Sequence, residues 1–274
     1  MPLGTEPSRF LKPVIALARE AGQRITEIYH SDFRIGAKED NSPLTAADLA
    51  SHHCLTEGLE SLRPKYPVLS EEASVFSFEQ RACWETFWLI DPLDGTKEFI
   101  ARNGEFTVNI ALIHRHEPVL GVIYAPAMDL CYFAAEGCGA FKQVGAAEPK
   151  PIRVRPQAPP AVRVVGSRSH GTLALRLYLS RLGRHELTSI GSSLKFGLVA
   201  EGRADIYPRV GPTSEWDTAA GHCLVKEAGG AVTDLTGEPL RYNTKESTRN
   251  PYFLVYGDRT RNWLRYAAGI AEEE

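Results

Sequence analysis

The densest chemistry in the chain lies in Trp88-Leu89-Ile90-Asp91-Pro92-Leu93-Asp94-Gly95-Thr96. An apolar, strand-forming run ends in two aspartates three residues apart. Pro92 is expected to stop ladder pairing at Asp91 and turn the chain. Gly95 lets the backbone approach a ligand closely. Both carboxylates then stand at the carboxyl end of a strand, where α/β folds hold ligands. Hard divalent cations such as Mg²⁺ take carboxylates, backbone carbonyls and water, and the Leu93 carbonyl is placed to be one such ligand. D-P-x-D-G is equally a turn sequence, so this segment alone leaves a plain loop open.

Two more acidic segments widen the choice. Val68-Leu69-Ser70-Glu71-Glu72 puts carboxylates after a short apolar run, and Glu215-Trp216-Asp217-Thr218-Ala219-Ala220-Gly221 puts Asp217 in a first helical turn. Each has an ordinary reading, as a solvated Glu-Glu pair and as an acid complementing a helix dipole. The small residues of 218–221 let that helix pack closely and hold Asp217 rigidly. Together Glu71, Asp91, Asp94 and Asp217 suit a two-cation site. Such sites hold the ions roughly 3.5–4 Å apart and clamp the attacking and leaving oxygens of an in-line displacement.

Regular elements must carry these groups. Apolar residues at three- and four-residue steps predict a helix over Leu11–His30, with Pro13 in its first turn. A second helix is expected from Thr45 to Leu62, ended by Arg63-Pro64. Strands are predicted at Thr86–Ile90, Phe106–Ile113, Val119–Tyr124 and Cys131–Ala134, the last three as an antiparallel set. The proline-rich stretch Gly145–Pro160 reads as a boundary. Beyond it strands at Val162–Gly166, Asp205–Tyr207 and Ala231–Asp234, and a short one closed by Ser189-Ile190, alternate with helices at Thr172–Leu182, Ser193–Glu201 and Trp216–Glu227. That alternation argues for an α/β layer.

Composition narrows the class. The 274 residues are 43% hydrophobic and 24% charged, a globular balance rather than a disordered one. A net charge of −3 disfavours a nucleic-acid-coating surface. No stretch reaches the ~18 apolar residues of a membrane span, and Met1–Phe10 lacks the pattern of a secretory signal. The five cysteines Cys54, Cys83, Cys131, Cys138 and Cys223 are scattered without a CxxC pair. They are expected to be small buried hydrophobes in a reducing cytoplasm.

The three acidic motifs, in this order and spacing, resemble the inositol monophosphatase superfamily of Mg²⁺-dependent, lithium-sensitive phosphatases. The marks are Glu71-Glu72, Asp91 to Thr96 and Trp216 to Gly221. Within it the chain more closely resembles the bacterial CysQ-type 3'(2'),5'-bisphosphate nucleotidases. The segments 41–48, 94–100, 103–112, 167–170 and 191–196 carry that likeness. The resemblance implies a layered αβαβα sandwich of α/β (α+β) class. It places an N-terminal α+β half at residues 1–155, a C-terminal α/β half at 156–274, and the site between them. It implies two or three Mg²⁺ held by Glu71, Asp91, Leu93, Asp94 and Asp217, with Glu72 outside the ligand set. It further implies a metal-activated water as nucleophile, with Glu71 among the catalytic groups and Thr96 and Asp48 as the proton-accepting pair. Asp48 also fits a capping box with Thr45.

The substrate implied is adenosine 3'(2'),5'-bisphosphate, cleaved to AMP and phosphate in sulfur metabolism. An inositol or sugar phosphate is the alternative. The reacting phosphate is expected over the N–H groups of Gly95 and Thr96, with Asp94, Lys97 and Asp217 around it. Gly191, Ser192, Ser193 and Lys195, opening a helix, are candidates for the second phosphate. Arg168, His170 and Arg209 are candidates for added charge or hydrogen bonds. Tyr178 and Phe196 read more readily as core than as adenine contacts. The same reading gives a cytoplasmic monomer or homodimer and leaves contact with the inner membrane face open.

Overall fold

The computed structural model describes residues 7–31, 35–37, 43–73, 76–167 and 172–270. In chain order the elements begin with α1 (Leu11–Tyr29), the paired strands β1 (Ile35–Ala37) and β2 (Pro43–Thr45), and α2 (Ala46–Ser61). Then come β3 (Val68–Ser70), α3 (Phe78–Arg81), β4 (Thr86–Asp94), α4 (Thr96–Ile100), β5 (Thr107–His114) and β6 (Glu117–Ala125). They are followed by β7 (Leu130–Ala135), β8 (Gly139–Val144), β9 (Lys150–Ile152), β10 (Val162–Gly166), α5 (Leu173–Leu182) and β11 (His185–Ser189). The chain finishes with α6 (Leu194–Ala200), β12 (Ile206–Arg209), α7 (Glu215–Glu227), β13 (Ala231–Asp234) and β14 (Phe253–Tyr256).

Strands β3 to β9 form one sheet in sequence order, antiparallel except for the parallel β3–β4 pair. The second sheet runs β11-β10-β12-β14-β13, with β10 parallel to both of its neighbours. Side chains alternate across a strand, and that alternation builds the layers. Along β4, Trp88 and Ile90 face α1 and α2. Phe87 and Leu89 face the opposite core, which holds Phe196 of α6 and Ala220 and Leu224 of α7. From the other side Phe253 and Val255 of β14 enter that same core. Leu254 turns outward to Tyr178 and Leu182 of α5. The result is five layers: α1/α2, the large sheet, α6/α7, the small sheet, and α5.

Helix α7 is sandwiched between two sheets, and only small residues allow this. A Cβ on Gly121 of β6 would lie 2.3 Å from the Ala220 carbonyl oxygen, and one on Gly221 would lie 2.2 Å from the Phe196 ring. Buried in the same helix, His222 is held to a pKa of about 3 by desolvation first, with the Lys226 cation adding to it.

The structure departs from the sequence expectations at several places. Pairing along β4 does not stop at Asp91. It continues to Asp94 through a register shift, with Asp91 opposite Asn109 and Asp94 opposite Thr107. A bulge tolerates Pro92, whose missing N–H then breaks no ladder bond. The short strand expected to close at Ser189-Ile190 is β11, which ends one residue earlier, at Ser189. Strand β12 starts at Ile206 and leaves out Asp205, whose carboxylate accepts from Arg163 at 2.9 Å. Cys83 and Cys138 are exposed, and only Cys54, Cys131 and Cys223 are buried hydrophobes. Strands β1, β2, β8, β9 and β14 and helix α3 lie outside the sequence expectations, the first two in a stretch, Ser31–Pro43, that reads as polar and turn-like. Strand β8 buries only Ala140, too little for an alternating pattern to register.

Gly121→Ala is expected to destabilise the protein by about 1–3 kcal/mol, read as a lower urea midpoint, because backbone rather than a flexible side chain blocks the added methyl. The unfolded chain protonates His222 near its ordinary value while the folded chain resists until about 3. Stability should therefore be intact above pH 6.5 and fall with acidification, by about 1.4 kcal/mol per unit. His222→Gln should flatten the loss between pH 6.5 and 5 by about 2 kcal/mol in urea unfolding.

Candidate metal and phosphate site

The bulge at the end of β4 delivers its two aspartates together. Asp91 is buried, and its Oδ1 accepts the Leu93 N–H at 3.0 Å. The Pro92 carbonyl accepts the Ser51 hydroxyl of α2 at 2.7 Å, which fixes the turn against a helix 41 residues earlier. Gly95 follows with a φ of 95°, the left-handed region, and caps α4. Thr96 then faces Asp48, with Oγ1 3.3 Å from Oδ1. Asp48 fulfils both roles the sequence left open. Its Oδ2 accepts the Thr45 N–H at 2.7 Å and hydroxyl at 2.6 Å, closing the capping box, while Oδ1 serves Thr96.

Glu71 follows β3, and its N–H donates to the Ile90 carbonyl at 3.2 Å. Asp217 is the third residue of α7. Its Oδ2 accepts the Ser214 N–H at 2.8 Å, so the metal-ligand candidate is itself a cap. Ligand oxygens of Glu71, Asp91 and Asp217 lie within 4.8 Å of one another. Asp94 stands beside them, its Oδ2 2.8 Å from the Ser193 hydroxyl and 3.4 Å from the Asn109 amide nitrogen. The same Ser193 oxygen lies 2.8 Å from the Asp217 carbonyl. Ser193 thus pins the start of α6 to both β4 and α7, on the acidic side.

Crowding leaves this cluster short of positive charge. Burial, then the charges of Asp94 and Glu71, push Asp217 up to about 8. Asp91 is raised well above the ordinary carboxylate range by burial and then by Glu71, Asp94 and Asp217. The Asp91 Oδ2 is buried with no hydrogen-bond partner among the described residues. Three converging carboxylates, one orphaned oxygen and an adjacent carbonyl at Leu93 are a donor set for hard divalent cations.

A buried polar strut, unmarked by any local motif, holds two of these segments in register. Arg81 of α3 donates to the Asn243 side-chain oxygen at 2.5 Å and to the Glu246 carbonyl. Asn243 returns its amide to the Arg81 carbonyl at 2.6 Å, and its N–H reaches Glu215 at 2.8 Å. Glu215, at the head of α7, is raised to about 7 by burial. The segment after Glu71 is thereby tied to the turn that carries Asp217.

Above the acids opens a cavity of about 300 Å³. Glu71, Asp94, Gly95, Thr96, Lys97 and Asp217 line one side, and Ser192, Lys195, Tyr207 and Arg209 line the other. Lys195 is buried and turns back on its own loop, donating to the Ile190 carbonyl at 3.3 Å and the Ser192 carbonyl at 2.5 Å. Desolvation lowers it to about 8 despite nearby Asp94. The Gly191 N–H is taken by Glu105 at 2.8 Å. Ser192 sits at φ 46°, and its buried hydroxyl has no partner among the described residues. Arg209 is 8% exposed and spends Nη2 on the Pro212 carbonyl at 2.6 Å, while its buried Nε has no such partner. Phe196 lines the cavity while packing in the core, and Tyr178 is wholly core. His170 and Arg168 lie outside the described residues.

Sequence reasoning did not assign Asn109, Ser51 or the Arg81–Asn243–Glu215 strut. Asn109 stands in a quoted segment, Phe106 to Leu112, but nothing local marks its amide as an aspartate partner.

The chain resembles known proteins over most of its length. The sequence profile described as the inositol monophosphatase family matches residues 6–262. The 3'(2'),5'-bisphosphate nucleotidase CysQ of Escherichia coli (strain K12) is 53% identical over 253 residues, covering 89% of this chain and 98% of that protein. The nucleotidase CysQ of Haemophilus influenzae is 40% identical over 254 residues, covering 92% and 94%. Among solved structures, CysQ from Bacteroides thetaiotaomicron superposes with a TM-score of 0.79 at 43% identity, covering 90% of this chain and 97% of that one. With these motifs, this layered fold and a profile match over nearly its whole length, the chain belongs to the inositol monophosphatase family.

Proposed function

We infer that the protein is a phosphoric monoester hydrolase that removes the 3'(2')-phosphate of adenosine 3'(2'),5'-bisphosphate, giving AMP and phosphate. One observation carries the reading. The cavity sets an anionic cluster in need of cations opposite two buried, unpartnered donors, Ser192 Oγ and Arg209 Nε. A molecule with two phosphates answers both walls, one bridged through cations and one bound directly. A neutral sugar ring would leave the Arg209 guanidinium uncompensated, and buried charges left unpaired are costly. The relatives at 53% identity carry the name of this nucleotidase activity.

Glu71, Asp91, the Leu93 carbonyl, Asp94 and Asp217 would hold two or three Mg²⁺. When bound, such ions neutralise phosphoryl oxygens and acidify water. The chain's own groups do the rest. Asp48, oriented by the Thr45 N–H and hydroxyl, accepts the Thr96 hydroxyl proton and leaves the Thr96 lone pair to take a proton from the attacking water. The N–H groups at the head of α4, at Gly95 and Thr96, face the phosphoryl oxygens. Ser193 and Asn109 orient Asp94. Lys195 shapes the 190–192 turn and contributes charge behind it, and Lys97 stands exposed at the cavity's edge. Residues 1–155 supply Glu71, Asp91, Asp94 and Thr96, and residues 156–274 supply Ser192, Arg209 and Asp217, so neither half makes the site alone. Among the described residues no helix is long and apolar enough to cross a membrane.

Phosphate release from adenosine 3',5'-bisphosphate should require Mg²⁺ and exceed release from inositol 1-phosphate at equal concentration. Faster turnover of the inositol ester rejects the nucleotide reading. Arg209→Gln should raise KM for the bisphosphate by about 10-fold or more, as expected for loss of a charged hydrogen bond, and leave KM for a monophosphate nearly unchanged. Asp91→Asn should abolish hydrolysis and also raise Tm in the absence of divalent cations, by roughly 2–4 °C for each kcal/mol of repulsion relieved. Mg²⁺ should raise the Tm of the wild-type protein and not that of this variant.

A further inference from the structure

One face of α2 reaches three segments of the acidic site. Asp48, Ser51 and His52 stand three and four positions apart, so their side chains leave the helix on the same side. Asp48 meets Thr96 at 3.3 Å. Ser51 donates at 2.7 Å to the carbonyl of Pro92, which lies between Asp91 and Leu93. His52 Nδ1 lies 2.9 Å from the Ser70 hydroxyl. No step of the reaction uses this third contact, yet it touches the residue directly before Glu71.

Ser70 is 1% exposed, at the end of β3 and opposite Ile90 of β4. It opens the turn that holds Glu71. Its carbonyl accepts the Ala73 N–H at 3.3 Å, and its Oγ accepts the Glu72 N–H at 3.3 Å. With one lone pair taken by an amide, the hydroxyl still has a proton to place, and a buried donor left over is costly. Among the described residues, His52 Nδ1 is the acceptor in reach. Nδ1 then carries no hydrogen, and the neutral imidazole holds its proton on Nε2. Desolvation first, and then neighbouring His53, keep His52 below its ordinary pKa, which favours that neutral ring. A ring donating from Nδ1 would leave the Ser70 proton without a partner.

We propose that His52 is a positioning residue for Glu71. Its Nδ1 takes the Ser70 hydroxyl proton, that hydroxyl turns a lone pair to the Glu72 N–H, and the turn carrying Glu71 is fixed before any cation arrives. The proposal rests on the reading of Glu71 as a cation ligand. A carboxylate already in place loses little freedom when a cation binds it, and one on a loose turn loses more. His52 therefore acts on the affinity for the cation and not on the chemical step.

Nitrogen NMR of the cation-free full chain near neutral pH tests the tautomer, the His52 signals being those lost in His52→Asn. A bare Nδ1 and a protonated Nε2 are expected. Isothermal titration with MgCl₂ tests the consequence. His52→Phe and Ser70→Ala should each weaken Mg²⁺ binding at least about 5-fold. The double variant should lose no more, since both changes break one chain of bonds. His52→Asn, whose side-chain oxygen can accept where Nδ1 did, should stay within about 2-fold of the wild type. At saturating Mg²⁺, His52→Phe should keep its kcat. Leu59→Ala, which opens a cavity in the core beneath α2, should lower Tm and leave Mg²⁺ affinity unchanged. A protonated Nδ1, unchanged affinity or a fallen kcat in His52→Phe, additive losses, no rescue in His52→Asn, or an equal loss in Leu59→Ala overturns the proposal. A wild-type chain that binds no Mg²⁺ rejects the cation reading itself, and this proposal with it.

Discussion

Mutual repulsion among carboxylates at the junction of the layers is the constraint on which the rest of the structure depends. Glu71, Asp91 and Asp217 put ligand oxygens within 4.8 Å of one another, with Asp94 alongside. Carboxylates brought this close out of water raise one another's pKa values. The fold does not neutralise them with lysine or arginine from the same side. It leaves an orphaned oxygen on Asp91 and spends its stability elsewhere, in two large cores on either face of the seven-stranded sheet. A cluster held against its own repulsion binds cations strongly because binding removes the repulsion.

Holding such a cluster needs rigid elements, and the chain achieves this by giving helix caps second duties. Asp48 closes one capping box and faces Thr96. Asp217 closes another and joins the acidic cluster. A capping side chain has its rotamer set by the backbone it bonds, so the remaining carboxylate oxygen is aimed without extra side-chain entropy being lost. Helix α7 is then located by contacts too close for any side chain at Gly121 or Gly221. The Arg81–Asn243–Glu215 strut ties its head to the segment that follows Glu71.

Helix α7 borders two cavities of opposite character. Near its head the walls are acid on one side and cation on the other, which favours polyanions bridged by metal. Near its tail the walls are largely apolar, with Glu117 and Lys226 paired beside them. Both follow from one geometry: a helix buried between two sheets exposes only its ends, and whatever lines those ends meets solvent.

Some of this was legible in residue order. The acidic motifs were, because divalent cations accept few ligand types and those ligands sit at element boundaries that Pro92, Gly95 and the small residues of 218–221 announce. The helices α1, α2, α5 and α7 and the antiparallel run β5–β7 were legible from apolar periodicity. Local sequence carries no record of partners brought from afar, so other features were decided only in three dimensions. Arg81 and Asn243 are 162 positions apart, and Asn109 and Ser193 are 84 apart. The direction of Lys195, back onto its own loop carbonyls, depends on the turn at Ser192 and on burial beneath the cavity. The continuation of β4 through Pro92 depends on β5 accepting a bulge opposite Asn109 and Thr107. Composition and spacing chose the chemical groups. Packing chose which of their atoms remain unsatisfied, and those atoms are what a ligand meets.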